Sequence, residues 1–177
     1  IPIQATNLAF IFPGQGCQWF GMAKHLLAES ELFLKSMKTI DEWIIQNCNW
    51  SLISALNGPD DQLSKIRIGN VAIFAIQVSL CEIFKGWGIV PHYVLGHSVG
   101  EVAAAYVSGV LSLNQCLQFL TMVPDVVESL YDSGSMTIVR TSVSSIIDIL
   151  ERVSMKKIDI AALMMKIISP CQVQSKI

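Results

Sequence analysis

The segment Gly96-His97-Ser98-Val99-Gly100 constrains this chain more than any other part of it. It follows a short apolar run, Tyr93 to Leu95, and precedes a run of good helix formers, Glu101 to Tyr106. A G-x-S-x-G pattern between a strand and a helix forces the serine into a strained turn. The flanking glycines, having no Cβ, let neighbouring backbone pass closely. The Ser98 hydroxyl then stands exposed at the helix start, and the Val99 N–H points at the same spot, where it can bind a developing oxyanion. The spacing therefore marks Ser98 as a candidate nucleophile, with a purely structural turn as the competing reading.

A second cluster lies near the start. Leu8 to Phe12 reads as a buried strand ended by Pro13-Gly14, and Gly14-Gln15-Gly16 leaves the Gln15 backbone free to approach a ligand. That suits a second oxyanion donor from a strand-end loop; a simple Gly-Pro turn is the alternative. Helical spacing runs from Glu31 to Gln46, with Leu32, Phe33, Met37, Ile40, Trp43 and Ile44 on one face. Asn57 to Asp61 reads as a loop and Val71 to Phe84 as a mostly buried helix closed by Gly86 and Gly88. Gly109 ends the helix after the elbow. Ser112 and Gln115 then form a capping box for a helix from Leu113 to about Val123, where Pro124 should kink or stop it.

The character changes after Asp132-Ser133-Gly134. Strands are expected at 136–139 and 158–163, with the start of another at 166–168, and a helix at Val143 to Val153. This points to two parts, residues 1–132 and 133–177, the second a small α+β unit that ends incomplete. The fold class is α/β, a short parallel sheet flanked by helices. The strands at Leu8–Phe12 and Tyr93–Leu95 should be parallel neighbours with helices on both faces.

Composition narrows the function. Hydrophobic residues make up 52% of the 177 and charged ones 15%, which allows either a membrane protein or a globular domain with fully buried elements. Val71 to Phe84 falls short of the roughly 20 apolar residues a spanning helix needs, and Gln77, Ser79 and Glu82 interrupt it. Ile1 to Asn7 lacks the basic start and apolar core of a signal peptide. The chain opens on Ile1 and is read as a segment of something larger. A net charge of −2 without a basic cluster argues against nucleic acid. Cys17, Cys48, Cys81, Cys116 and Cys171 are odd in number and lack CxxC spacing, so they read as reduced, mostly core residues of a cytoplasmic protein without a metal site.

Taken together, Phe12-Pro13-Gly14-Gln15-Gly16-Cys17-Gln18-Trp19-Phe20-Gly21-Met22 and Gly96-His97-Ser98-Val99-Gly100-Glu101 resemble the acyltransferase domain of type I polyketide synthases, in the malonyl-CoA:acyl carrier protein transacylase family. Phe74 to Leu113 is similar to the same family through Trp87-Gly88, Ala103-Ala104-Ala105-Tyr106 and Gly109. The resemblance implies a hydrolase-like core, and Ser135-Met136 and Ile160-Ala161-Ala162 are similar to strands of the family's inserted ferredoxin-like subdomain. It implies that Ser98 takes an acyl group from acyl-CoA and passes it to the phosphopantetheine thiol of an acyl carrier protein, with Gln15 and Val99 as the oxyanion N–H pair. His97 would line the pocket, or serve only structure. No bound cofactor is expected; the partners implied are the carrier protein and neighbouring synthase domains.

The match breaks in three places. The family's general base is a histidine well downstream of the nucleophile, whereas His25, His92 and His97 are the only histidines here. The arginine that pairs with a malonyl carboxylate falls at Val123, another pocket candidate, and no arginine occurs between Ser98 and Arg140. Asn70-Val71 stands where a Gln-Pro pair is usual. Three functions compete: an acyltransferase segment inactive by itself, a non-catalytic structural or carrier-docking remnant of a megasynthase, and a thioesterase-type hydrolase, which the Gln15 loop disfavours.

Overall fold

A computed structural model describes residues 7–58, 60–128, 137, 139, 141–153, 158 and 160. Backbone contacts divide the chain into two compact units, Ile1–Gly134 and Ser135–Ile177.

The first unit opens with strand β1 (Ala9–Phe12) and, after a long helical excursion, returns to β2 (Tyr93–Gly96). The two pair in parallel, Ala9 opposite Tyr93 and Phe12 opposite Gly96. Between them lie α1 (Lys24–Glu29), α2 (Glu31–Cys48), α3 (Leu52–Leu56), a 3-10 turn at Asp60–Ser64 and α4 (Ile66–Gly86). After β2 come α5 (Val99–Val107) and α6 (Leu113–Glu128). The turn at Asp60–Ser64 overlaps the stretch read as loop, Asn57 to Asp61, at its last two residues.

Helix α4 is the organising element and packs against α2, α3, α5 and α6. Gly69 through Ala75 are all buried, so in this stretch no side of the helix faces solvent. That explains the apolar run from Val71 to Ile76. Phe33, Met37, Ile40 and Ile44 from α2, Phe74 and Val78 from α4, and Leu117 and Leu120 from α6 form the core. Truncating one such aromatic, Phe74→Ala, removes about 3–5 kcal/mol by analogy with other cores. Leu32, expected on the inner face of α2, is exposed at the start of that helix.

Several expectations are corrected. Helix α4 begins at Ile66, not Val71, and its 21 residues are long and apolar enough to cross a membrane by length and composition. Its packing within the core accounts for that composition. The β1–β2 pair carries helices on one face: Phe12 is buried, whereas Ile11 is 72% exposed and its register partner Leu95 57%. Both faces of β1 are apolar, which is why the run reads as buried, yet among the described residues nothing covers the Ile11 side. Pro124 does not stop α6, which continues to Glu128 with Pro124 fully buried. A proline removes one N–H, a loss that packing offsets. Among the described cysteines Cys17 is exposed, Cys48 and Cys81 are half-buried and only Cys116 is buried, all four as free thiols; Cys171 lies outside the described residues.

The capping box at Ser112 forms as expected: the Gln115 N–H donates to Ser112 Oγ, and the Ser112 N–H donates to Gln115 Oε1 at 2.9 Å. In the second unit, α7 (Val143–Arg152) is capped by Ser142, whose Oγ accepts from the Ser145 N–H. The strands expected at 136–139, 158–163 and 166–168 lie largely or wholly outside the described residues.

Candidate active site

Ser98 sits between β2 and α5 with φ 56° and ψ −124°. Among described non-glycine residues only Asn49 shares a positive φ, and Asn49 has the ordinary left-handed geometry of a helix end. The Ser98 conformation is one that side chains disfavour by about 1–3 kcal/mol. Three backbone hydrogen bonds hold it: the His97 N–H to the Phe12 carbonyl, the Gly100 N–H to the His97 carbonyl, and the Glu101 N–H to the Ser98 carbonyl, at 2.9–3.0 Å.

The glycines follow from crowding. A Cβ on Gly96 would fall onto the Glu101 backbone, and one on Gly100 onto the Phe12 carbonyl oxygen. The helix start thus rests directly on the end of β1. Ser98 is exposed, and Val99 is the first residue of α5. The Val99 N–H is therefore one of the donors that a helix leaves without an internal acceptor, at the positive end of its dipole.

The loop after β1 reaches the same place. A Cβ on Gly14 would lie 2.8 Å from both the His97 carbonyl oxygen and Ser98 Cβ. Gln15 follows immediately and is exposed. Two amides from α4 hold this loop: Gln77 Nε2 donates to the Pro13 carbonyl at 2.7 Å, and Gln15 Nε2 donates to buried Asn70 Oδ1 at 2.5 Å. Gly16, at φ 100°, donates its N–H to Gln18 Oε1, and the Cys17 thiol donates to the Gly14 carbonyl.

Of the residues singled out from sequence, Ser98, Val99, His97 and the Gln15 loop are brought together. Val123 is half-buried on α6, one residue before Pro124, and takes no part in the hydrogen bonds that hold the elbow. His25 is exposed on α1. His92 is tied to Leu8, accepting from the Leu8 N–H at 3.1 Å, at the opposite end of the strands from Ser98. Among the described residues Ser98 Oγ has no hydrogen-bond partner. No group of three His, Cys, Asp or Glu side chains among them could hold a metal.

Two hollows flank the sheet, and Ser98 lines neither. One, about 560 Å³, borders the Gln15 loop at Pro13, Cys17, Trp19, Met22 and Gln77. The other, about 640 Å³, lies around Cys81, Glu82, Lys85, His92 and Tyr106. There burial, and secondarily Glu82, pushes the Cys81 thiol up to about 11. Sequence reasoning missed Asn70 and Gln77 as loop supports. Their signal was present: two amides seven residues apart in a mostly apolar helix fall on one face.

The model of the acyl transferase domain family matches residues 9–173. Over 144 residues the chain is 37% identical to erythronolide synthase EryA2 of Saccharopolyspora erythraea, covering 80% of this chain and 4% of that protein. Among solved structures it is similar to a loading acyltransferase from the avermectin modular polyketide synthase (35% identity, TM-score 0.65, 69% of this chain and 39% of that one). It is also similar to the malonyl-CoA:ACP transacylase of Synechocystis sp. PCC 6803 (28% identity, TM-score 0.63, 70% and 41%). The chain thus spans about two fifths of these two solved chains and a small fraction of the synthase.

Proposed function

The chain belongs to the acyl transferase domain family, and on that premise we propose that it is a segment of a polyketide synthase acyltransferase in which Ser98 carries the acyl group between coenzyme A and an acyl carrier protein. Ser98 Oγ attacks the thioester carbonyl of acyl-CoA, its proton leaves to a base, and the thiolate of coenzyme A departs from an acyl-serine. The phosphopantetheine thiol of the carrier protein then attacks that ester and regenerates the hydroxyl. The N–H groups of Gln15 and Val99 bind the oxyanion in both steps, each donor contributing about 3 kcal/mol by comparison with other serine enzymes. The observation that carries this reading is the contact of Gly14 with the strained Ser98, which sets a strand-end loop and a helix start around one hydroxyl.

His97 and Val123 line the acyl pocket in this proposal. The short connection between α5 and α6, and the Cys116 thiol against the Val102 carbonyl, support an antiparallel pair whose far end carries Val123 toward Ser98. Residues 133–177 are the start of a ferredoxin-like subdomain, and the protein works in the cytoplasm beside other synthase domains. No histidine follows Ser98 in this sequence. By itself the chain therefore has little or no turnover, since losing the base of a serine triad costs about 10⁶ in rate.

The test is carrier-protein loading from labelled acyl-CoA, with mass spectrometry of the Ser98 peptide and Ser98→Ala as control. The reading expects acylation confined to Ser98 and negligible multiple turnover. Robust turnover by residues 1–177 would overturn the missing-base argument; acylation elsewhere would overturn the nucleophile. Val123-Pro124, with no arginine between Ser98 and Arg140, favours a second reading as a non-catalytic docking or structural module. It gains if Ser98 is never acylated while carrier protein still binds.

A further inference from the structure

Resting on that reading, we infer that Gln77 is a positioning residue for the oxyanion loop: its side-chain amide sets where the Gln15 N–H stands relative to Ser98. The Pro13 carbonyl is where three elements meet. It belongs to the loop, receives Gln77 Nε2 from α4 at 2.7 Å, and lies against Gly100 of α5, where an added Cβ would sit 2.9 Å from its oxygen. The next residue, Gly14, packs on Ser98, and the one after is Gln15. Proline has no N–H, so at this residue the loop can be held by hydrogen bonding only through its carbonyl. Gln77 provides that hold.

The amide orientation is not arbitrary, because a carbonyl accepts and only the NH₂ end of the side chain can face it. That leaves Gln77 Oε1 buried without a partner. An unpartnered buried acceptor is a cost that a leucine or methionine at the same place would avoid. The amide is therefore there for its donor. Asn70, on the same face of α4, adds a second tie through the Gln15 side chain, but Gln77 grips the backbone itself.

The experiment uses the full chain. Amide exchange by NMR is followed at Gln15 and Gly16, with Phe74 and Leu117 as core references, alongside the rate at which a fluorophosphonate labels Ser98. Gln77→Leu keeps the volume and removes the donor; it should raise loop exchange at least tenfold relative to the core and lower labelling at least tenfold. Gln77→Glu should behave like Gln77→Leu at pH 7. It should recover toward the unsubstituted protein's values at pH 4, because the protonated carboxyl can again donate to the Pro13 carbonyl. Unchanged loop exchange, exchange raised equally at Phe74 and Leu117, or labelling that ignores a freed loop would each overturn the inference. Absence of Ser98 labelling in the unsubstituted protein would follow from the missing base, and the exchange and pH arms would then decide the role of Gln77.

Discussion

Gly14 lies so close to Ser98 that a single added methyl would come within 2.8 Å of the serine Cβ and 3.4 Å of its Oγ. The neighbouring His97 carbonyl blocks the same space, so backbone must move to admit it. Gly14→Ala should therefore push the Gln15 loop off the elbow. A displacement near 1 Å at a reacting centre costs about 10²-fold. Ser98 acylation should fall by that order while circular dichroism shows the helices intact. An alanine variant acylated at the original rate would mean that the loop does not serve Ser98.

Gly100 makes a different prediction. A Cβ there collides with the Phe12 carbonyl, which joins the end of β1 to α5. Gly100→Ala should lower global stability by about 1–3 kcal/mol, the range for overpacking. Urea denaturation followed by fluorescence would show it as a reduced midpoint.

Ser98 itself carries strain at φ 56° and ψ −124°. Glycine accepts that conformation without penalty, and alanine does not. Ser98→Gly should raise the unfolding free energy by up to about 1 kcal/mol, net of the greater freedom glycine has in the unfolded chain. Ser98→Ala should not. Equal midpoints for the two variants would show that the strain is not relieved by losing the Cβ.

The thiols should separate by reactivity. Cys17 is exposed, and the thiols of Cys81 and Cys116 are pushed up chiefly by burial. At pH 8 iodoacetamide should modify Cys17 well before either, as peptide mapping over time would reveal. For Cys81 the folded value of about 11 exceeds the ordinary 9.0. The folded state thus favours the neutral thiol; that contribution is complete below about pH 9 and is lost as pH rises toward 11. Cys81→Ala should flatten this part of the alkaline stability profile. Faster labelling of Cys81 than Cys17 would contradict it.

The proposed place of Val123 in the pocket makes a prediction about specificity. If Val123 occupies the carboxylate-binding position, the pocket offers no cation there, and a buried carboxylate left unpaired costs about 3–5 kcal/mol. A chimaera joining this segment to the downstream part of a related domain should prefer acetyl-CoA to malonyl-CoA in competition. Val123→Arg should shift the preference toward malonyl. A tenfold preference for malonyl in the unsubstituted chimaera would show that a cation comes from elsewhere.

Much of this protein was legible from sequence because the signals are local. The elbow is written in two glycines around a serine, the capping box in Ser112 and Gln115, and α2 in a helical period of apolar residues. Each depends on backbone geometry within a few residues. What only the tertiary structure decided concerns residues far apart in the chain. That Gly14 must lack a side chain because of Ser98, and that Gln77 of α4 grips Pro13, depend on how the long excursion between β1 and β2 brings those segments back together. The continuation of α6 through Pro124 and the exposure of Ile11 have the same origin. A proline's ring can be buried by neighbours that its own flanks do not specify. An apolar strand face reads as core whether or not another element covers it, because hydrophobicity records a preference for burial and not the presence of a partner.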